Sequence, residues 1–229
     1  MDRAENKIFF IIKIITVVLM AFVIYGSLFI AQEAQGFVST SRIIFYHVPM
    51  AWVAVLAFLT SAVFSVRYLM KKDLNEDLKA AFSAQLGFLF SVAATITGSI
   101  WAKMEWGSFW NWDPRETSIL ILLLIYAAYF SLRSAVENED QKARLSAVYS
   151  ILAFVTVPFL VFVVPRVIET LHPENPVFET NPSKKMTASI RVIFFLSNLA
   201  FSLLYVWMLK LKIEIDKLRK LVLLSGENS

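Results

Sequence analysis

The sequence contains no cysteine. Disulfides, thiolate metal sites, iron–sulfur clusters and thiol redox chemistry are therefore excluded, and metal ligation falls to His, Met or carboxylates. Histidine is nearly as scarce, because His47 and His172 are the only two in the chain. The chain can thus supply at most one site with two histidine ligands. Charge is also low: 17% of the residues are charged and 58% are hydrophobic, which is too apolar for a soluble domain.

Most of the sequence consists of long apolar stretches. A helix needs about 20 mostly apolar residues to cross the hydrocarbon core of a bilayer. Six windows meet this requirement, at residues 8–31, 43–68, 80–101, 117–135, 145–164 and 188–211. We therefore expect an all-α fold, a polytopic membrane helix bundle with about six transmembrane helices, forming a single membrane domain over residues 1–229.

Basic residues are distributed unevenly between the two sides of this bundle. The N-terminus, the second and fourth loops and the C-terminus carry 14 Lys and Arg residues, whereas the other loops carry 7. By the positive-inside rule both termini are cytoplasmic. Residues 212–229 then form a cytoplasmic tail, with Leu211, Ile215, Leu218 and Val222 on one helical face. Such an amphipathic tail is typical of a helix that binds a membrane surface or a partner protein.

The loop at residues 101–117 contains four of the six tryptophans of the chain and faces outward in this topology. Its end has a structural explanation, because Asp113 as N-cap, Pro114 at the first helical position and Glu116 at the third resemble a capping box. Asp113 is therefore either only a helix cap or a functional residue. No such explanation applies to the tryptophans at positions 106, 110 and 112.

The same topology places His47, the tryptophan-rich loop and His172 on one face, from three separate segments. Heme needs aromatic contacts, axial nitrogen ligands and cations for its propionates, so this combination predicts a heme site. The aromatic surface is Trp106, Trp110 and Trp112, and the axial ligands are His47 and His172. The candidate cations are Arg42 and Arg115, then Lys103, Arg166 and Arg191. Met104 and Met186 are possible substitute ligands, although apolar packing explains both better.

Two stretches carry a resemblance to a known family. The string Trp106-Gly-Ser-Phe-Trp110-Asn-Trp112-Asp113-Pro-Arg115 resembles the tryptophan-rich signature of the cytochrome c assembly family of heme-handling proteins. The stretch Tyr46-His47-Val48-Pro49-Met-Ala-Trp52 resembles the segment that carries the first histidine of that family. The length, the six spans and a second histidine in the last outer loop match its heme exporter protein C (CcmC) branch.

The resemblance implies a heme-delivery protein, not an enzyme, in the bacterial inner membrane. Heme b would be bound non-covalently at the periplasmic face, with His47 and His172 as axial ligands and Trp106 to Asp113 as the platform for heme and chaperone. The implied partners are a periplasmic heme chaperone (CcmE), the ABC-transporter subunits CcmA and CcmB, and the small protein CcmD. The lipid bilayer surrounds the chain, and no nucleic-acid partner is expected.

One residue departs from the pattern of this branch, and three alternatives stay open. Glu116 stands where the usual CcmC pattern has Leu, and the Glu form resembles the larger CcsA or ResC synthases, so a component of a heme synthase is one alternative. A b-type heme electron-transfer subunit is the second, and it predicts redox cycling with a quinone and no transferable heme. A structural permease subunit is the third, and it predicts no heme.

Overall fold

The computed structural model describes residues 3–31, 41–172 and 187–226. All regular elements of these residues are helical. Two π-helical turns, Gly26–Ile30 and Phe159–Val163, extend α1 and join α5 to α6, and a 3-10 turn, Ser41–Ile43, precedes α2. The helices are α1 (Arg3–Tyr25), α2 (Ile44–Lys71), α3 (Leu74–Trp106), α4 (Pro114–Ala135), α5 (Glu139–Pro158), α6 (Val164–Val167) and α7 (Ala188–Gly226).

Six helical segments in the described part are long and apolar enough to cross a membrane. They are Lys7–Ile30, Ile44–Lys71, Leu74–Trp106, Pro114–Ala135, Glu139–Val167 and Ala188–Ser225. The predicted all-α architecture with about six transmembrane helices is confirmed, and the chain is a multi-pass membrane protein.

The helices extend beyond the apolar windows of the sequence. The third window ends at Trp101, but α3 continues to Trp106 and ends where Gly107 adopts a left-handed conformation (φ 81°). The fourth helix begins at Pro114, so the segment between the two helices is only residues 107–113. Apolar windows report the thickness of the membrane, whereas a helix continues until a residue such as glycine reverses the chain.

The last helix also runs past its window, as one unbroken α-helix to Gly226. The apolar residues of the predicted tail become more exposed along it, from 43% at Leu211 through 55% at Ile215 to 67% at Val222. Docking of this face on a membrane surface or a partner stays a prediction.

The bundle is built around α2, which packs on α3, α5 and α7, while α1 packs mainly on α7. In the core the ring of Phe58 stacks on that of Tyr126 at a centroid distance of 3.6 Å. A Cβ atom at Gly87 would lie 2.6 Å from the Phe58 ring, so only glycine permits this approach of α2 and α3. Successive spans are antiparallel, so α2 and α4 begin at one end of the bundle and finish at the other. The first is the histidine end, which carries His47 and His172. The second is the ion-pair end, which carries Asp77 and Arg133.

The ion-pair end is held by buried carboxylates. Asp77 accepts two hydrogen bonds from the guanidinium of Arg133, at 2.7 and 2.8 Å. Its neighbour Glu76 pairs with Arg67 at 2.9 Å and with Lys79 at 2.7 Å. Asp77 is only 7% exposed and Glu76 only 4%, and each pair with Arg joins two helices, so these contacts tie α3 to α2 and α4.

Candidate functional site

His47 lies in the first turn of α2 and faces α3. Its Nδ1 atom is 3.0 Å from the carbonyl oxygen of Ala94 and 3.2 Å from the hydroxyl of Thr97. A carbonyl oxygen only accepts, so Nδ1 carries the proton and Nε2 holds the free lone pair. The ring fits because residue 98 is glycine: a Cβ atom at Gly98 would lie 2.8 Å from His47 Cε1. The backbone of α3 thus fixes both the orientation and the tautomer of this histidine.

His172 is fixed in a comparable way by Asp113, which lies just before α4. The Nδ1 atom of His172 is 3.0 Å from a carboxylate oxygen of Asp113, whose side chain is fully buried. The carboxylate accepts, so Nδ1 is again the protonated nitrogen and Nε2 is free to bind a metal. This arrangement of a carboxylate behind a histidine is the one that orients histidine ligands in metal sites. The rings of Trp106 and Trp101 contact His172 at centroid distances of 4.9 and 5.8 Å.

Asp113 joins the start of α4 to the segment that carries His172. Its side chain accepts hydrogen bonds from Arg115 N at 2.9 Å, from the Thr170 hydroxyl at 2.8 Å and from Leu171 N at 2.7 Å. Burial favours a higher pKa for Asp113, but these hydrogen bonds, with His172, outweigh it and hold the pKa below its usual value. Asp113 is therefore ionised and does more than cap a helix.

The same surroundings keep His172 neutral. Burial lowers its pKa to about 4, Asp113 opposes this shift, and Arg115 and His47 add to it. His172 is therefore a neutral imidazole at neutral pH, with its proton on Nδ1, as a metal ligand must be. His47, in the first turn of α2, and His172, bonded to Asp113 just before α4, lie at the same end of the bundle.

Glu116 shapes the tryptophan-rich segment. Its carboxylate accepts hydrogen bonds from Asn111 N at 2.7 Å and Asp113 N at 3.3 Å, on either side of Trp112. Trp112 adopts a left-handed backbone (φ 57°), which is unfavourable for a residue other than glycine and needs such support. Glu116 thus has a structural role that leucine could not fill, because leucine cannot accept these bonds.

The structure divides the predicted aromatic surface into two groups. Trp106 packs against His172, whereas Trp110 and Trp112 contact each other edge to face at 5.8 Å. Trp112 is 72% exposed and Phe109 is 58% exposed. One group therefore lines the histidine, and the other presents aromatic surface outward.

Three of the candidate arginines have hydrogen-bonding capacity left. Arg42, Arg115 and Arg191 each have a buried Nε atom with no hydrogen-bond partner among the described residues. Buried donors are normally paired, so these atoms suit an anionic ligand.

The remaining candidates are used differently. The Lys103 ammonium donates to Gly107 O at 2.8 Å, and the guanidinium of Arg166 donates to the carbonyl of Phe162. Met104 is 63% exposed, and Met186 lies outside the described residues.

Sequence reasoning missed several residues of this region. Trp101 was not among the predicted contacts of the histidines, although it shares one face of α3 with the two residues beside His47, Ala94 and Gly98, at spacings of four and three. The helical spacing could therefore have added Trp101 to the predicted site. No sequence signal predicts the role of Thr170, because it depends on a segment far along the chain folding back onto Asp113.

Comparison with known proteins gives one consistent family. The family described as "CcmC: Heme exporter protein C" matches residues 1–223. Heme exporter protein C of Paracoccus denitrificans is 34% identical over 207 residues, covering 90% of this chain and 85% of the relative. The protein of that name from Bradyrhizobium diazoefficiens is 32% identical over 191 residues, covering 83% and 72%. That of Escherichia coli K12 is 32% identical over 130 residues, covering 57% and 52%. The resemblance predicted from the tryptophan-rich string is confirmed, and the chain belongs to the heme exporter protein C (CcmC) family.

Proposed function

We propose that this chain binds heme b non-covalently at the periplasmic face of a bacterial inner membrane and delivers it for the biogenesis of c-type cytochromes. One observation carries the proposal: each of the two histidines has its Nδ1 atom held by an acceptor, which leaves Nε2 as a lone-pair donor. The names of the relatives point the same way, since they are heme exporters. Two neutral imidazoles are a suitable axial pair for heme iron.

The rest of the histidine end fits heme as cargo. Trp101 and Trp106 supply apolar ring surface beside His172. The buried Nε donors of Arg42 and Arg115, which have no partner among the described residues, suit the two propionates, and Arg191 is a further candidate. The chain contains no cysteine to form a covalent bond to heme. These residues therefore support a holding site, not an enzyme.

The aromatic pair of half-buried Trp110 and exposed Trp112 is the proposed contact with the receiving protein. Exposed aromatic side chains dominate the energetics of many protein interfaces, and Trp112 is 72% exposed. We propose that Trp110 and Trp112 dock a CcmE-type heme chaperone, in a complex with CcmA-, CcmB- and CcmD-like subunits. In this orientation the ion-pair end and both termini are cytoplasmic, in line with the excess of Lys and Arg on that side.

Replacing Trp110 and Trp112 together by Ala tests the delivery step. We expect the variant to keep its heme but to transfer it to the purified periplasmic domain of a CcmE-type chaperone at least about 10-fold more slowly, because an aromatic anchor is lost. Transfer is followed by absorption of heme in the separated chaperone. The control is Trp207→Ala on α7, which lies beside Lys13 and away from this surface.

The possible outcomes separate the alternatives. Unchanged transfer of heme by a double variant that still binds heme would refute the proposal that Trp110 and Trp112 dock the chaperone. Loss of heme from the double variant would move these tryptophans into the binding site itself. Heme that cycles with a quinone and is never transferred would favour the electron-transfer subunit, and purified protein without heme would favour the structural permease subunit.

A further inference from the structure

The turn that carries His47 contains a defect in its backbone hydrogen bonding. Pro49 lies inside α2 and has no N–H group. In an α-helix the residue at position 49 would donate to the carbonyl of residue 45, so proline leaves the Phe45 carbonyl without its helical donor. Phe45 is only 2% exposed, so water is not a ready substitute.

A side chain from another helix supplies the missing donor. The hydroxyl of Ser197, on α7, donates a hydrogen bond to the Phe45 carbonyl, and Ser197 is completely buried. Proline also pushes the carbonyl at the fourth position before it away from the helix axis, which directs that oxygen toward a neighbouring helix. The contact therefore repairs, with a side chain, the hydrogen bond that Pro49 removes.

Neighbouring contacts hold the same turn on its other sides. The hydroxyls of Tyr46 and Ser27 lie 2.6 Å apart, and Ser27 donates to the carbonyl of Ile24 at 2.9 Å, so Tyr46 is the donor to Ser27. His47 itself is fixed by the carbonyl of Ala94 on α3. Residues 45, 46 and 47 are thus tied to three different helices, and Ser197 is the link to α7.

We propose that Ser197 is a positioning residue for heme ligation, whose hydroxyl replaces the donor that Pro49 lacks and so fixes the turn that presents His47. The inference rests on the proposed function, because it takes His47 as a heme ligand. Ser197 acts through the backbone of Phe45, two residues before His47.

The backbone part of the inference is tested by combining Ser197→Ala with Pro49→Ala in the heme-free chain. Ser197→Ala alone leaves a buried carbonyl unpaired and should lower the midpoint of thermal unfolding by roughly 3–10 °C. Pro49→Ala restores a backbone N–H for Phe45, so in that background the same serine change should cost less than half as much. The control is Ser202→Ala, which removes a hydroxyl that donates within α7, to the carbonyl of Asn198, and should change little.

The ligand part is tested by the absorption spectrum of the heme-loaded protein. We expect Ser197→Ala to lose part of the six-coordinate signal in the way that His47→Ala does, and Pro49→Ala/Ser197→Ala to regain it. A merely structural serine would lower stability without this recovery of ligation.

The outcomes distinguish a failure of the inference about Ser197 from a failure of the proposed function. Equal losses from Ser197→Ala in both backgrounds, or a loss no larger than that from Ser202→Ala, would overturn the inference while leaving the heme site intact. A spectrum that responds to His47→Ala but not to Ser197→Ala would overturn the positioning role. Coupling between Pro49 and Ser197 in a protein that never binds heme would overturn the proposed function and leave Ser197 only as an anchor of the turn.

Discussion

Replacing Asp113 by Asn should weaken heme binding by about 10- to 100-fold, the usual cost of removing the group that orients a histidine ligand. The variant should also lose about 1–3 kcal/mol of unfolding free energy, because buried donors lose their acceptor. Asparagine has almost the same size, but its amide has one acceptor oxygen, whereas Asp113 accepts bonds at both oxygens, from Arg115 N, Thr170, Leu171 N and His172. Heme titration of the detergent-purified protein and its thermal unfolding measure both effects.

This substitution separates a functional Asp113 from a mere helix cap. Asparagine is about as good an N-cap as aspartate, so a residue that only capped α4 would tolerate the change. Asp73 is the matched control, because it caps α3 at the opposite end, accepting from Asn75 N at 2.9 Å, and lies far from the histidines. Asp73→Asn should leave heme binding unchanged. Wild-type heme affinity in Asp113→Asn would show that Asp113 does not orient a heme ligand and has only a structural role.

Replacing Arg133 by Met should destabilise the fold by about 3–5 kcal/mol, since it leaves the carboxylate of Asp77 buried without its cation. Arg133 donates to both oxygens of Asp77, which is 7% exposed. Removing the charge as well, in Asp77→Asn/Arg133→Met, should recover most of the loss, because the penalty comes from the unpaired ion. Thermal or denaturant unfolding in detergent measures the difference.

An exposed ion pair of the same end provides the control for this prediction. Lys142 and Glu139 lie 2.7 Å apart, but Glu139 is 72% exposed, so Lys142→Met should cost less than about 1 kcal/mol. A loss from Arg133→Met no larger than that from Lys142→Met, or no recovery in the double variant, would show that the Asp77 pair does not hold the ion-pair end together.

The sequence predicts the architecture well because the bilayer imposes its length on every span. Apolar stretches of sufficient length therefore locate all six membrane-crossing segments. The apolar stretches do not predict where the helices end, since α3 continues five residues beyond Trp101 and α7 continues well past residue 211. Hydropathy changes at the membrane boundary, whereas a helix ends at local features such as the left-handed Gly107.

The sequence predicts which histidines form the candidate site, but not which residues they contact. Scarcity singles out His47 and His172, and the charge asymmetry of the loops predicts that they share a side. Their partners are not predictable in the same way, because Ala94, Thr170 and Ser197 reach the site by long-range packing. Backbone carbonyls and hydroxyls occur throughout the chain, so their residue type carries no signal of its own. The pairing of Asp113 with His172 likewise depends on a contact across 59 positions.

Ligation of heme by His47 and His172 is tested most directly by the visible absorption spectrum, oxidised and reduced, of the purified protein beside His47→Ala and His172→Ala. We expect a six-coordinate heme in the wild-type protein and a lost or changed coordination in each variant, with thermal unfolding showing that both variants remain folded. Colourless protein from heme-sufficient cells, or a heme whose spectrum is indifferent to both substitutions, would contradict that expectation.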